Sequence, residues 1–182
     1  MKQESDQVLM VQVGFSGFSD GMSWFSACLK PDGAWRTLDF SSWSKYFDGR
    51  SVGFATAGSQ VGWYNQDDDH GGTPRGCAVW RVDLASALGP QQVPMMAAGG
   101  PDEYCASAIA IARNGTLAWI AGDVTRYPVA LDRPDQLNVI AADGSVVALD
   151  SGLPGTLTQL TLAPDGGTVR WLRGGVQQSA AL

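Results

Sequence analysis

The side chains best suited to chemistry in this 182-residue chain stand in one short run, Asp67-Asp68-Asp69-His70, followed by two glycines. Carboxylates at alternate positions of a loop, here Asp67 and Asp69, offer the oxygen ligands that Ca²⁺ takes, and His70 adds a nitrogen. The EF-hand pattern of a Gly and a Glu at fixed distances is not present, and a solvated acidic loop is the simpler interpretation. The run still predicts a metal site at Asp67, Asp69 and His70, with Ca²⁺ as the ion.

Catalysis would have to depend on this same run, because the sequence contains few other suitable groups. His70 is the only histidine, no GxSxG nucleophile motif is found, and nothing selects a facing pair among the many aspartates. A metal-dependent hydrolase or lyase that uses Asp67 to His70 is therefore the alternative hypothesis. The main prediction is a protein that is not an enzyme and that takes no cofactor other than Ca²⁺.

A binding role is predicted from aromatic side chains in segments with weak strand patterns. These segments are 14–26 (GFSGFSDGMSWFS), expected to be a packed loop, and 41–50, a turn-rich bridge. A third segment, 65–76, is expected to be a polar loop. Aromatic rings in loops stack on sugars or contact partner proteins. The predicted partner is a glycan, a peptide or a protein surface, and the predicted binding residues are Phe18, Trp24, Trp43 and Tyr46.

The three cysteines, Cys28, Cys77 and Cys105, have no CxxC spacing and do not indicate zinc. Cys77 and Cys105 each begin an apolar run, so a disulfide between neighbouring strands is one interpretation. Burial of all three as small apolar side chains is the other. Both interpretations stay open on the sequence alone.

Charge and hydropathy exclude two classes of partner. The formal net charge is −6 and no Lys or Arg residues cluster, which argues against nucleic acid. No apolar run approaches the roughly 20 residues that cross a bilayer, so no membrane insertion is expected. The apolar run Val8 to Val13 is too short for a signal peptide. If the protein is exported, we expect its leader to be absent from this sequence.

Composition and turns predict a single all-β domain over residues 1–182. The chain has 23 Gly and 9 Pro, and every acidic residue except Glu4 and Glu103 is Asp, which favours turns over exposed helix faces. The stretch CASAIAIARNGTLAWIA, residues 105–121, has apolar runs on both sides of Asn114-Gly115. It predicts a β-hairpin with a two-residue turn and positive φ at both turn residues.

A tryptophan recurs at the end of three similar strands, which read VGW, LAW and VRW. Each follows a Gly-containing turn, and the intervals, 63 to 119 and 119 to 171, are 56 and 52 residues. Units of about 40–50 residues with up to four strands are typical of β-propeller blades. We predict N-terminal strands and aromatic loops over 1–50 and three Trp-marked repeats over 51–182. Core packing, rather than sugar stacking, is predicted for Trp63, Trp119 and Trp171.

The segments IARNGTLAWIA, CAVWRVDLASA and VVALDSGLPGTLTQLTLAPDGGTVRWLRGGVQQSAAL resemble the degenerate propeller-type repeats of exported bacterial proteins of unassigned function. The resemblance spans about residues 51–182. It implies a β-propeller-like array of antiparallel blades and an extracellular or cell-envelope location. It implies no catalytic residues.

The number of strands leaves the closure of the array open. About fourteen candidate strands make three and a half blades, whereas a ring usually needs four to eight. We expect the N-terminal strands to complete a fourth blade together with residues 176–182. The alternatives are a ring shared by two chains, which would make a homodimer, and a β-sandwich.

Overall fold

The computed structural model describes residues 2–16, 20–30, 33, 35–44, 47–68, 74–86, 88–93, 104–123, 134–141 and 143–182. Most of these residues lie in strands and none of them is helical, which confirms the all-β prediction. No helix within these ranges has the length and apolar character to cross a bilayer. The strands are β1 (Lys2–Glu4), β2 (Val8–Ser16), β3 (Asp20–Leu29), β4 (Trp35–Ser44), β5 (Phe47–Ala57), β6 (Gln60–Asp68), β7 (Pro74–Asp83), β8 (Gln91–Val93), β9 (Tyr104–Ile111), β10 (Leu117–Asp123), β11 (Asp135–Ile140), β12 (Val146–Gly152), β13 (Leu157–Leu162), β14 (Thr168–Arg173) and β15 (Val176–Ala181).

The strands form three antiparallel sheets in which each strand pairs with its neighbours in the chain. The sheets contain β1 to β8, β9 to β12, and β13 to β15. Within the largest sheet, β4 and β5 pair only beside their turn, at Trp43–Asp48 and Ser44–Phe47. The structure is therefore four successive meanders, named here the first (β1–β4), second (β5–β8), third (β9–β12) and fourth (β13–β15).

Three apolar clusters lie between successive meanders. The first interface cluster joins the first and second meanders through Val8, Phe25, Ala27, Phe54, Val61, Trp63, Val82 and Leu84. The second interface cluster joins the second and third meanders through Ala57, Tyr64, Val79, Val93, Ala106, Ile111, Leu117, Trp119, Ala121 and Ile140. The third interface cluster joins the third and fourth meanders through Ala110, Ala118, Ile120, Leu137, Val139, Leu157, Leu160, Val169 and Trp171.

Successive meanders pack on one another through their first strands, an arrangement consistent with a partial propeller or with a sandwich-like all-β fold. The first strand of each contacts the first strand of the next, in the pairs β1 with β5, β5 with β9, and β9 with β13. Trp63, Trp119 and Trp171 are at most 6% exposed and lie in the second strands of the second, third and fourth meanders. Core packing was predicted for all three, and their burial agrees with it.

The array does not close into a barrel among the strands that the structure describes. The final strand, β15, pairs with β14, and β1 pairs with β2. The expectation that the N-terminal strands and 176–182 form one blade is therefore wrong for the described residues. The physical reason is the turn at Gly174 and Gly175, whose φ angles of 56° and 82° return the chain directly onto β14. A ring shared by two chains stays a prediction.

Two of the segments expected to be loops are largely paired strand. Residues 14–16 and 20–26 belong to the β2–β3 hairpin, and most of 41–50 belongs to β4 and β5. The 65–76 loop is also shorter than expected, since β6 reaches Asp68 and β7 begins at Pro74. Gly and Ser are weak strand formers on their own, but here 14–16 pair with β3, 21–26 pair with both β2 and β4, and 41–44 pair with β3, and this context decides strand formation.

The turn at Asn114 differs from the prediction in length. The Ala112 amide donates to the Thr116 carbonyl, and the Gly115 amide donates to the Ala112 carbonyl. Only Gly115 has a positive φ, 85°, so the loop has three residues rather than two. This loop type is a type I turn followed by a glycine in the left-handed region. Asn114 does not have a positive φ, and its carboxamide oxygen accepts a hydrogen bond from the Thr116 amide.

Candidate functional site

A surface pocket of about 190 Å³ lies where the end of β7 meets the Asn114-Gly115 turn. One wall comes from the second meander and the segment that follows β7, and the other comes from the third meander. Most of its side chains are polar, and the lining consists of Gln60, Arg81, Val82, Asp83, Ser86, Leu88, Gly89, Gln91, Asn114 and Gly115.

Asp83, the last residue of β7, is held by groups from the β5–β6 turn and from the segment after β7. Its carboxylate accepts a 2.6 Å hydrogen bond from the Ser59 hydroxyl and a 2.9 Å bond from the Ala85 amide. Partial burial alone would raise the pKa of Asp83, but these bonds and one from the Gln60 side chain lower it below its ordinary value. Asp83 is therefore an ionised hydrogen-bond acceptor at neutral pH.

Arg81 connects the pocket to two turns of the third meander. Its guanidinium donates 3.0 Å hydrogen bonds to the carbonyl oxygens of Gly115 and Ala141. A planar guanidinium carries several N–H donors, so one side chain can bind both carbonyls at once. The Ala141 carbonyl also accepts from the Gly144 amide. Asp143 follows in the second of these turns. Hydrogen bonds from the Ser145 amide and hydroxyl lower the pKa of Asp143, and the charge of Arg81 lowers it further.

Gln60 and Gly115 meet at the back of the pocket. Gln60 is 8% exposed, and a Cβ placed on Gly115 would lie 3.3 Å from its Oε1 atom. The positive φ of Gly115 independently favours glycine there. The turn and the buried carboxamide thus define the shape of this wall.

The arrangement can bind a polar group but contains few of the parts that catalysis needs. Its two charged side chains, Arg81 and Asp83, have opposite signs, and both already make hydrogen bonds within the protein. Amide and hydroxyl groups from Gln91, Asn114 and Ser86 add donors and acceptors at the surface. The pocket therefore matches a ligand group with several hydrogen-bonding atoms and little net charge.

The predicted binding and metal residues are not brought to this pocket by any contact that the structure describes. Phe18, Tyr46, Asp69 and His70 lie outside the described residues. The backbones of Trp24, Trp43 and Asp67 lie in β3, β4 and β6, where Trp24 is opposite Phe40 and Trp43 is opposite Gly21. The side chains of these three residues are outside the described part of the structure.

The metal hypothesis stays a prediction. Among the described residues, no group of three or more His, Cys, Asp or Glu side chains could hold a metal ion. Asp69 and His70, on which the hypothesis depends, are not among them. The same holds for the hydrolase or lyase hypothesis that uses this run.

The structure has a disulfide between Cys77 and Cys105. This was one of the two interpretations of the cysteines that the sequence allowed. The bridge joins β7 of the second meander to β9 of the third, with 5.2 Å between the Cα atoms. Cys28 is a buried free thiol.

Of the pocket residues, the sequence singled out only Asn114 and Gly115, as a hairpin turn. In the stretch CAVWRVDL, residues 77–84, the last polar residues, Arg81 and Asp83, line the pocket. A charged pair at the end of an otherwise apolar strand was the available indication.

Comparisons with known proteins provide little further information. No protein-family model matches the chain, and no curated protein matches it either. Among solved structures, a mutant apocarotenoid oxygenase from Synechocystis is similar, with a TM-score of 0.44 and 11% sequence identity. The alignment covers 97% of this chain and 47% of that chain, so this chain spans about half the length of that protein. We infer neither fold nor function from a likeness at this level.

Proposed function

We propose that this protein is a non-catalytic binding module whose pocket beside β7 receives one polar unit of a glycan or a peptide. The observation that carries the proposal is the pocket lining, in which donors and acceptors from Gln60, Arg81, Asp83, Gln91 and Asn114 surround one concave space. The volume of about 190 Å³ is below the roughly 300–1,000 Å³ of sites that enclose a whole drug-sized molecule. It suits one ring or one side chain of a larger partner.

The charge state of the pocket favours binding over acid–base catalysis. A general acid needs a proton near the working pH, whereas the pKa of Asp83 is lowered by its hydrogen-bond donors. An ionised carboxylate beside amide groups is a good acceptor for hydroxyl or amide protons of a ligand.

An apolar side chain supplements these polar groups. Leu88, 64% exposed, lies on the pocket lining. A sugar ring has an apolar face and a polar edge, and a peptide side chain often combines the two in the same way. Leu88 beside Gln91 and Asn114 therefore provides contacts for both parts of such a ligand.

An extracellular or cell-envelope location belongs to the same proposal. Disulfides persist in oxidising compartments and are rare in a reducing cytosol. The Cys77–Cys105 bridge supports this location.

The test is a screen on glycan and peptide arrays followed by titration of the best ligand. Gln91→Ala is expected to weaken binding by roughly 3–10-fold, the value of one hydrogen bond. Gln177→Ala is the matched control, because Gln177 is also an exposed strand residue and lies in the fourth meander, outside the pocket. Leu88→Ser and Leu153→Ser form a second pair, with Leu153 being 75% exposed and outside the pocket.

Two results would contradict the proposal. One is the absence of any ligand on both arrays. The other is a ligand whose affinity falls equally in the pocket variants and in their controls, because such a ligand would bind elsewhere.

A further inference from the structure

Trp119 and Asn138 are opposite each other on neighbouring strands of the third meander. They are register partners in the β10–β11 pairing, so their side chains share one face of the sheet. That face carries the second interface cluster, to which Trp119 belongs. Trp119 is 0% exposed and Asn138 is 1% exposed, so both side chains are closed to solvent.

Three polar atoms at this position have no hydrogen-bond partner among the described residues. They are the indole Nε1 of Trp119 and both carboxamide atoms, Nδ2 and Oδ1, of Asn138. Buried polar atoms are almost always paired with protein or with ordered water. Two donor atoms and one acceptor atom thus lie on the same buried face of the third meander.

The corresponding tryptophan of the fourth meander shows how such an indole is normally satisfied. The Nε1 of Trp171 donates a 2.8 Å hydrogen bond to Asp150, on the last strand of the preceding meander. Trp119 has no acceptor of this kind among the described residues. Asn138, its register partner, carries a polar side chain, yet the two side chains make no direct hydrogen bond.

We propose that Trp119 and Asn138 bind one ordered water molecule inside the second interface cluster. The water accepts from Trp119 Nε1 and from Asn138 Nδ2 and donates to Asn138 Oδ1. Buried waters typically make two to four hydrogen bonds, and this site supplies three. The neutral charge of all three groups disfavours an ion, and the closed surroundings restrict the occupant to a molecule small enough to enter through local fluctuations.

NMR of the ¹⁵N-labelled wild-type protein tests the proposal, with the Trp119 indole resonance assigned from Trp119→Phe. A water-selective NOE experiment is expected to show a cross peak from long-lived water to the Trp119 indole proton. The Trp171 indole, whose partner is Asp150, is the internal control and should show no such peak. Asn138→Leu, which keeps the shape and removes two of the three polar atoms, is expected to abolish the Trp119 cross peak.

A hydroxyl that exchanges with solvent could mimic bound water, and Tyr64 lies in the same cluster. Tyr64→Phe should therefore leave the cross peak unchanged. If Asn138→Leu does not fold, a high-resolution crystal structure of the wild type replaces it, with a water expected within hydrogen-bond distance of both side chains. The proposal is overturned by a missing cross peak in the wild type, by its loss in Tyr64→Phe, by its persistence in Asn138→Leu, or by a crystal structure with a direct Trp119–Asn138 bond.

Discussion

The carboxylate of Asp150 accepts a 2.8 Å hydrogen bond from the indole Nε1 of Trp171. Asp150 lies on the last strand of the third meander and Trp171 on the middle strand of the fourth. The other carboxylate oxygen is 3.0 Å from the guanidinium of Arg173. One largely buried carboxylate, 11% exposed, thus joins two sheets through two different side chains.

Removing this carboxylate is expected to destabilise the protein. Asp150→Ala leaves a buried indole donor unpaired, which costs about 1–3 kcal/mol in the free energy of unfolding. Asp150→Asn retains an acceptor and should cost less. Arg173→Ala is the control, because Arg173 is 55% exposed and such ion pairs contribute about 0–1 kcal/mol. Urea denaturation measures all three, and an Asp150→Ala variant as stable as the wild type would show that the link has no energetic role.

Gly122 is expected to tolerate no side chain. A Cβ at this position would lie 2.7 Å from Oδ1 of Asp135, which is itself held on β11 and bonded to the Leu157 amide. Gly122→Ala should therefore destabilise the fold by about 1–3 kcal/mol, the usual cost of overpacking. Gly167→Ala is the matched control, since nothing lies within 4 Å of its Cβ position. Equal thermal stability of the two variants would contradict the prediction.

The pH dependence of stability is expected to contain a term from Asp135. Burial raises the pKa of Asp135, and hydrogen bonds from the amides of Leu157, Gly155 and Thr156 offset only part of the rise. A raised pKa in the folded state favours folding below the unfolded pKa of about 3.9, and this contribution is lost as the pH rises through the folded pKa. The difference in unfolding free energy, Asp135→Asn minus wild type, should therefore increase between acid and neutral pH.

A control with the opposite sign is available at Asp165. Hydrogen bonds from the Gly167 amide, then from the Thr168 hydroxyl, lower the pKa of Asp165. Its contribution to stability is present at neutral pH and is lost as the pH falls through the lowered value. The difference Asp165→Asn minus wild type should thus decrease as the pH rises. Urea midpoints across this pH range check both slopes, and parallel slopes for the two variants would refute the assignment.

Reduction of the Cys77–Cys105 bridge is expected to destabilise the second and third meanders. The two residues are 28 apart in sequence, and opening a loop of this length costs about 3–4 kcal/mol in a chain-entropy estimate. Denaturation with and without a reductant measures the change, and a thiol assay of the unfolded oxidised protein should find only Cys28. Cys28→Ala should lose the same stability on reduction as the wild type. An unchanged midpoint after complete reduction would contradict the prediction.

Local patterns were sufficient to predict the β9–β10 hairpin of the third meander. After the Asn114-Gly115 turn, Leu117 and Trp119 occupy alternate positions of one strand. Such a periodicity is visible within about ten residues of sequence. The first meander was harder to predict, because its strands around 14–26 and 41–44 are rich in Gly and Ser and form through pairing with neighbouring strands.

The pocket could not be predicted, because its parts are distant in sequence. Asp83 receives its hydrogen bond from Ser59, 24 residues earlier, and Arg81 donates to Ala141, 60 residues later. These pairings depend on how one meander is placed on the next. No short-range spacing encodes that placement.

Because each interface cluster is shared by meanders that follow one another in the chain, assembly can proceed in the order of synthesis. The first interface cluster involves no residue beyond Leu84, and all buried residues of the second are present once Ile140 has been made, with Val146 and Leu162 packing against it later. A chain emerging from the ribosome can therefore bury one hydrophobic surface before the next is translated. Unfolding under tension is expected to begin at the first or the fourth meander, because each of these shares its main cluster with only one neighbour.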